Sequence, residues 1–392
     1  MNDKTFKYVT GRFRDFYRKN SIDLPPEIES REWGFIPFSE DGSTRMVRHK
    51  SMLEIGDPSM WLEQEHPKHV YASASKYEEP GAPTMDEKVW KSSDLVFDID
   101  IDEDHLPESI DSADELTYSS MLDLAKEHAL RLLEFLERDF GFTDIEIVFS
   151  GGRGYHIHVR DDNVQKLKSQ DRTEIVSYIR GVNLDLDSVS NDDWAPLGYS
   201  LVSDKSAFSI SGGWSYLSHK RLIEFMDEML QMEKPLAIEK IGNIKNIGEK
   251  KAPMIYSAFE DNYNQIVAGE INVKPGMKAL ARSLTEETRR ENYSEIDEPV
   301  TTDINRLIRM PGTLHGGHGL EVCRIEKGEL SDFDPLVDAV PETFQGHSIK
   351  IDVNEPETVS LLNEEHEFEA GVYEVSEALG IHMMTEGLAE KD

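Results

Sequence analysis

Three aspartates alternate with apolar residues in the stretch LVFDIDIDED, which begins at Leu95. Alternate side chains of a strand point to opposite faces, so Asp98, Asp100 and Asp102 would share one face. Like charges at that spacing repel each other, and a divalent cation would offset the repulsion. Mg²⁺ and Mn²⁺ prefer such oxygen ligands, and a pair of these ions can activate an attacking oxygen and stabilise a leaving one. The alternative is an edge strand with a solvated acidic face.

A second group of polar residues occurs in SGGRGYHIH, which begins at Ser150. Its glycines suit a tight hairpin turn, and they would also let backbone N–H groups approach an anion closely. Ser150 and Arg153 add hydrogen-bond donors, and His156 and His158 lie on one face of the strand that follows. The segment is either a simple hairpin or a phosphate-binding turn, and the arginine between two glycines favours the turn.

A third group lies in DEPVTTDINRLIRMPGTLHGG, which begins at Asp297. Asp297 could supply another carboxylate, and Arg306 and Arg309 are three residues apart, on neighbouring positions of a predicted short helix. His315 follows a Pro-Gly turn. The alternative is a surface helix with basic residues near its C-terminus, which the helix dipole favours. Carboxylates, metal ions and cations in one site are typical of nucleotidyl or phosphoryl transfer.

The elements that must position these residues follow from the spacing of apolar side chains. A basic amphipathic helix is predicted at about residues 4–20, and a second helix runs from Leu122 to Phe140 and ends near Gly141. The sequence DIEIVFSGGRGYHIHVR predicts a strand, a glycine turn and a strand. Helical patterns dominate residues 163–262. The predicted class is therefore α+β, with strand pairs flanked by helices and a mostly helical insertion.

Composition narrows the class of protein further. The chain has 392 residues, of which 77 are acidic and 42 basic, and its formal net charge is -35. Acidic residues spread along the whole chain indicate a protein adapted to a salty cytoplasm; the alternative is an acidic mesophilic protein. No apolar run reaches the length of a membrane span, and the N-terminus has no apolar signal segment, so we expect a cytoplasmic protein without membrane contact. The single cysteine, Cys323, excludes a disulfide, a cysteine-built zinc site or an iron–sulfur cluster within this chain.

The segments LVFDIDID, FSGGRGYHIHV and RLIRMPGTLHGGHGL, in this order, with REWGF and YASASKYEEP upstream, resemble the small catalytic subunit of archaeal and eukaryotic DNA primase. The resemblance covers residues from about 5 to 330, and the acidic composition is most similar to a haloarchaeal member. It implies the archaeo-eukaryotic primase fold, in which mixed β-sheets flanked by helices form the catalytic core. The expected domains are a catalytic domain (1–162 and 263–340), an inserted helical subdomain (163–262) and an acidic C-terminal extension that packs on the core (341–392).

The resemblance also implies a role for each motif. Asp98 and Asp100 are expected to bind two Mg²⁺ or Mn²⁺ ions together with a third carboxylate, for which Asp297 is favoured over Asp303. The nucleotide triphosphate is expected to contact five residues of the second and third motifs, namely Ser150, Arg153, His156, Arg309 and His315. The activity implied is template-directed synthesis of short primers on single-stranded DNA during replication, from ribonucleotides or deoxynucleotides, with release of pyrophosphate.

Partners and cofactors follow from the same resemblance. The family works as a heterodimer with a large subunit that carries an iron–sulfur cluster. Its members usually also have a zinc-binding cysteine cluster, in many cases just after the Asp-x-Asp strand, but this chain has no cysteine there, so no zinc is expected. Three alternatives remain open: a repair or gap-filling polymerase that only extends primers, a catalytically silent subunit that binds nucleic acid, and a metal-dependent nuclease.

Overall fold

The computed structural model describes residues 1–40, 42–101, 117–182, 213–271, 273–292, 294 and 296–392. Asp102, His105 and the loop predicted after the aspartate strand lie outside these ranges, as does the acidic and Gly-rich loop of the predicted insertion. Within the described ranges, no helix has the length and apolar character needed to cross a membrane.

The secondary structure of the described residues comprises helices and short strands. The helices are α1 (Asp3–Lys19), α2 (Met52–Ile55), α3 (Pro58–Glu65), α4 (Tyr118–Glu134), α5 (Ser169–Ile179), α6 (Gly213–Gln231), α7 (Lys234–Gly242), α8 (Ala252–Val267), α9 (Met277–Asn292), α10 (Glu298–Thr302), α11 (Pro335–Asp338) and α12 (Glu377–Glu386). The strands are β1 (Arg31–Ile36), β2 (Val47–Lys50), β3 (His69–Tyr77), β4 (Trp90–Ser93), β5 (Leu95–Asp100), β6 (Ile145–Phe149), β7 (Gly154–Val159), β8 (Leu307–Arg309), β9 (Cys323–Ile325), β10 (Ser348–Val353), β11 (Glu357–Leu361), β12 (Glu364–Phe368), β13 (Gly371–Ser376) and β14 (Ala389–Lys391).

The chain divides into two compact units. The first consists of Met1–Leu130, Thr143–Thr173 and Glu295–Asp392, and it contains the strands named above; the second consists of Arg131–Phe142 and Glu174–Ser294 and is helical. The longer segment of the second unit, Glu174–Ser294, begins and ends later than the insertion expected at 163–262. Its end is later because buried residues of α9 belong to the same apolar cluster as those of α6 and α8. The acidic C-terminal stretch lies in the first unit, in one compact body with the aspartate strand.

Two sheets of the first unit carry the motif residues. One has the strand order β5-β7-β6-β9; the other has the order β2-β1-β3-β4, with β8 also pairing with β3. Each of these pairs is antiparallel. The α+β class, the strand–turn–strand unit of β6 and β7 and the N-terminal helix are confirmed. So is the long helix, because α4 continues through a π-helical turn (Phe135–Asp139) that stops before Gly141 at φ +69°.

One predicted helix is wrong. The segment expected to form a short helix around Arg306 and Arg309 is strand β8, because Pro311 disfavours a helix in the residue before it and too few residues remain to nucleate one. Ile308 is buried there, and β8 forms an antiparallel pair with β3. Further along the chain, the segment VYEVSEALG lies in β13 up to Ser376, whose hydroxyl caps α12.

Candidate active site

The first two aspartates lie on β5, directly opposite the histidine strand. In the antiparallel register of β5 and β7, Asp98 pairs with His156 and Asp100 pairs with Gly154. The Nε2 atom of His156 lies 3.3 Å from Oδ1 of Asp98, and Nε of Arg153 lies 3.8 Å from Oδ1 of Asp100. The hairpin register thus places the Asp-x-Asp motif and the glycine-turn motif side by side.

The glycines of the turn are required by close approaches of the backbone. A Cβ atom on Gly154 would lie 1.7 Å from the carbonyl oxygen of Ile99, so no larger residue fits there without separating β5 from β7. Gly151 has a φ of +75°, and a Cβ on it would lie 2.8 Å from Cβ of His315. The Gly152 N–H donates to Oγ of Ser150 over 3.3 Å. The turn therefore packs directly against the histidine of the third motif.

A third carboxylate reaches the aspartate strand at the start of α10. The backbone N–H of Asp297 donates to the carbonyl oxygen of Asp98 over 2.9 Å, and Asp297 is the N-cap residue of α10. Asp303 lies at the other end of α10, where its carboxylate accepts a hydrogen bond from the Asn305 N–H over 2.9 Å. Of the two competing positions, Asp297 is the one that the structure brings next to Asp98.

A small apolar cluster holds α10 and β8 against the aspartate strand. It consists of Ala74 of β3, Val96 of β5, Val300 of α10 and Ile308 of β8, all buried. Val96 lies two residues before Asp98, on the same side of the strand. Burial of these side chains therefore fixes where α10 presents Asp297 and where β8 presents its arginines.

The charge of Asp98 is unfavourable in this environment. The pKa of Asp98 is raised to about 7, chiefly by burial and next by the charge of Asp297, while Arg306 and Arg309 act in the opposite direction. A partly buried carboxylate with a carboxylate neighbour is stabilised by a bound cation. Across the described ranges, however, no three His, Cys, Asp or Glu side chains converge as a ready-made metal-ligand set.

The two site histidines are neutral at pH 7. The pKa of His156 is lowered to about 3, chiefly by burial and to a smaller extent by the charges of Arg309 and Arg306. Burial also lowers the pKa of His315 well below its ordinary value, and Arg309 adds to the effect. Both imidazoles can therefore donate a hydrogen bond to a phosphate oxygen but carry no positive charge there. The permanent cations of the site are its arginines.

Residues of β3 that sequence reasoning missed surround Arg309. Its Nη1 lies 2.7 Å from Nδ1 of His69, and its guanidinium carbon lies 5.3 Å from the centre of the Tyr71 ring. The rings of His69 and His315 meet edge to face at 4.8 Å. Next to them, Lys68 is half-buried and makes no side-chain hydrogen bond or ion pair within the described residues. The only signal in the sequence is the HVY pattern of β3, which does not reveal that β8 pairs with it.

The second histidine of β7 belongs to a different environment. His158 is buried, and burial lowers its pKa to about 3, with Arg160 next in effect. Neither ring nitrogen has a hydrogen-bond partner among the described residues. Arg160 beside it forms ion pairs with Asp94 and Glu146. His158 therefore lies next to the buried ion pairs of Arg160, and it is not part of the glycine turn.

The eight residues expected from the sequence to bind metal ions or nucleotide therefore lie close together. Carboxylates on a strand, arginines and neutral imidazoles around a glycine turn can together hold a complex of divalent cations and a polyphosphate. Such a site defines the class of enzymes that transfer nucleotidyl or phosphoryl groups.

Comparisons with known proteins agree with this class. The family model described as DNA primase small subunit matches residues 97–325. The DNA primase small subunit PriS of Haloarcula marismortui and that of Halobacterium salinarum are each 46% identical to the chain, over 100% of the chain and 99% of the relative. The PriS of Methanothrix thermoacetophila is 37% identical over an alignment of 404 positions, which covers 100% of each chain.

The chain belongs to the DNA primase small subunit family. The resemblance to a haloarchaeal member is confirmed by the two haloarchaeal relatives, and the fold is that of this family. The chain is therefore a DNA-directed nucleotidyltransferase of the primase type, which acts as the catalytic subunit in DNA replication.

Proposed function

We propose that this chain synthesises short primers on single-stranded DNA by two-metal nucleotidyl transfer, using nucleoside triphosphates and working with a primase large subunit. The observation that carries the proposal is the meeting of three segments far apart in sequence. Asp98 of β5, Asp297 of α10 and the glycine turn before β7 lie side by side at the same end of one sheet. The name "small subunit" that the relatives bear supports a large-subunit partner.

The donor set fits divalent metal ions. Asp98, Asp100 and Asp297 would hold Mg²⁺ or Mn²⁺, and the burial and repulsion that raise the pKa of Asp98 support a cation there. When bound, the ions would activate the primer 3′-hydroxyl and neutralise charge on the triphosphate. Asp303 is disfavoured as a ligand because its carboxylate is engaged with the Asn305 N–H. No zinc is proposed, because the chain has only one cysteine.

The chain's own residues would bind and orient the triphosphate. Arg153 and Arg309 supply positive charge, and neutral His156 and His315 supply N–H donors. Ser150 already accepts a hydrogen bond from the Gly152 N–H, so its hydroxyl hydrogen can point to a phosphate oxygen. Donors placed before the substrate arrives stabilise the charge that develops as pyrophosphate leaves.

The central experiment measures synthesis without a primer. The purified chain, alone and with its large subunit, is given an unprimed single-stranded template, labelled nucleotides and Mg²⁺ or Mn²⁺ in molar KCl, and the products are sized. New short strands that depend on metal and are lost in Asp98→Asn are expected. Extension only of an added primer, even with the large subunit present, would instead identify a gap-filling polymerase, and absence of synthesis in every arm would identify a silent subunit.

A matched pair of variants tests the third carboxylate. Loss of residues that merely orient metal ligands costs about 10–100-fold. We therefore expect Asp297→Asn to lower synthesis by at least about 100-fold, whereas Asp303→Asn should retain most of it. Thermal unfolding of both variants shows whether each is folded. Equal losses in the two folded variants, or a larger loss in Asp303→Asn, would remove Asp297 from the metal site.

A further inference from the structure

The C-terminal helix α12 contacts the loop that carries His315. The Nδ1 atom of His318 lies 2.6 Å from Oε1 of Glu386, and Nδ1 of His382 lies 2.7 Å from the carbonyl oxygen of His318. Gly319 has a φ of +66°, and a Cβ on it would lie 3.1 Å from Cγ2 of Ile381. The loop and the end of α12 are therefore joined by polar contacts and by close packing.

Tyr118 contacts both His318 and the glycine turn, and so connects the two. The rings of Tyr118 and His318 are stacked, with centres 5.0 Å apart and planes at 5° to each other. The Tyr118 hydroxyl donates to the carbonyl oxygen of Gly152 over 2.7 Å. Gly152 in turn donates to Ser150 and lies against His315, since a Cβ on Gly152 would be 3.2 Å from Nε2 of that histidine.

The protonation states of Tyr118 and Glu386 suit this arrangement. Burial is the main cause that raises the pKa of Tyr118 well above its ordinary value, so its hydroxyl remains a donor. Burial alone would raise the pKa of Glu386, but the hydrogen bond from His318 and the charges of His382 and His318 lower it, so Glu386 is ionised at neutral pH. A charged acceptor strengthens its hydrogen bond to His318.

We propose that Tyr118, His318 and Glu386 are positioning residues that hold the glycine turn in the shape that binds the triphosphate. The inference rests on the proposed function and deepens it, because it assigns part of the nucleotide affinity to the C-terminal helix. The family-model match ends at residue 325, so Glu386 contributes from outside the matched segment. The backbone of a glycine turn has many accessible conformations, and a hydrogen bond to the Gly152 carbonyl limits them.

The test separates nucleotide affinity from folding and from chemistry. Tyr118→Phe keeps the ring stack and removes only the hydroxyl, Glu386→Ala removes the acceptor for His318, and Glu386→Gln restores a neutral acceptor of the same size. Tyr373→Phe is the matched control for a lost hydroxyl, since the Tyr373 hydroxyl accepts from the Glu369 N–H at 3.2 Å, between β12 and β13. Glu377→Gln is the control for α12, since Glu377 binds Tyr8 and Arg12 at the other end of that helix.

Four quantities are measured on the full chain in molar KCl: KM and kcat for primer extension with varied ATP, the Kd of ATP with MgCl₂, and the unfolding temperature. Loss of one hydrogen bond predicts that Tyr118→Phe raises KM and Kd about tenfold, with kcat nearly unchanged. Glu386→Ala should raise both in the same way, and Glu386→Gln should recover a large part of the affinity. The two controls should leave KM and Kd at the wild-type values.

Two results would overturn the inference. One is an unchanged KM and Kd in both Tyr118→Phe and Glu386→Ala. The other is a lower unfolding temperature with a smaller active fraction and unchanged KM, which would make these residues part of the packing alone. Wild-type chain that makes no product under any condition would instead contradict the proposed function, so the two failures are distinguishable.

Discussion

Lys68 is a half-buried lysine beside the proposed nucleotide site, in a chain rich in carboxylates. Burial lowers the pKa of Lys68, and its positive charge in turn helps to lower the pKa values of His69 and His315. A Cβ on Gly316 would lie 2.0 Å from Cγ of Lys68, so the stem of the lysine is held against the His315 loop. Within the part of the chain that the structure describes, no carboxylate forms an ion pair with it. An ammonium kept partly out of water without a counter-ion is suited to an anionic ligand.

Lys68→Met is expected to weaken nucleotide binding. The substitution keeps the apolar stem and removes the charge, and a hydrogen bond to a charged group contributes about 1.5–3 kcal/mol. We expect the KM for nucleoside triphosphate to rise roughly tenfold or more with a small change in kcat. Lys7→Met, on the exposed face of α1, is the control, because Asp3 is the one ion-pair partner of Lys7 among the described residues. Wild-type KM in Lys68→Met would show that the ammonium does not face the triphosphate.

Glu321 gives the protein a stability that depends on pH. Burial, together with a smaller effect of the Glu342 charge, raises the pKa of Glu321 from 4.5 to about 7. A raised pKa in the folded state means that the contribution of this group is fully present below about 4.5 and is lost as the pH rises through about 7. Glu321→Gln, which stays neutral, should therefore have a larger free energy of unfolding than wild type at about pH 8, by at most about 3 kcal/mol, and a correspondingly higher unfolding temperature.

The measurement is the unfolding temperature of both proteins from about pH 5 to about pH 8. The difference between them should be small at the acidic end and grow towards the alkaline end. A difference that is the same at every pH would mean that Glu321 is already ionised at low pH and that the substitution acts through packing.

At the scale of elements, the hairpin of β5 and β7 is the part of the site least tolerant of change. Gly154→Ala would place a Cβ 1.7 Å from the Ile99 carbonyl oxygen, so the strands must separate beside Asp100. We expect a loss of about 1–3 kcal/mol of stability, or more, and a large loss of synthesis. Gly11→Ala is the matched control, since a Cβ there meets nothing within 4 Å and α1 should gain about 0.5–1 kcal/mol.

Urea unfolding of the two glycine variants, together with primer extension, measures both effects. Wild-type stability and activity in Gly154→Ala would mean that the strands lie further apart than the structure has them. A loss of stability in both variants would show that added methyl groups are harmful in general and would leave the hairpin without a special role.

Local sequence patterns are sufficient to predict the elements that are stabilised by interactions between residues close together in the sequence. The apolar spacing of α4 and the glycine turn between β6 and β7 were both read correctly, because helical periodicity and turn chemistry act over a few residues. The strand around Arg309 was not predicted correctly, because β8 is three residues long and is stabilised by its pairing with β3, more than 230 residues away in the sequence. A short strand held by a distant partner leaves little periodicity in its own sequence.

The residues of the candidate site likewise fall into those that the sequence predicts and those that only the structure shows. The Asp98, Ser150 and His315 motifs could be found because each places unusual residue types next to one another in the sequence. Tyr118 and Lys68 could not, since each belongs to an unremarkable segment and reaches the site only after the chain has folded. Contacts between segments distant in sequence are therefore the part of this site that requires a structure.

The whole molecule carries a large excess of negative charge, and its distribution is uneven. No Lys or Arg occurs between Ile351 and Glu390, where the sequence has many glutamates. In the β11–β12 hairpin, Glu365 and Glu367 are exposed on one face of the same strand. Neighbouring carboxylates of this kind destabilise the folded state unless salt screens them.

The unfolding temperature is therefore expected to rise steeply as KCl increases from about 0.2 M and to level off above about 1 M, where the screening length has fallen to about 3 Å. The net charge of -35 makes self-repulsion the dominant reason. Sucrose at matched osmolality is the control, because a neutral solute excluded from the surface stabilises the fold without screening charge. A rise that continues linearly to about 3 M KCl, or an equal rise in sucrose, would contradict screening and point to solute exclusion and increased hydrophobic stabilisation instead.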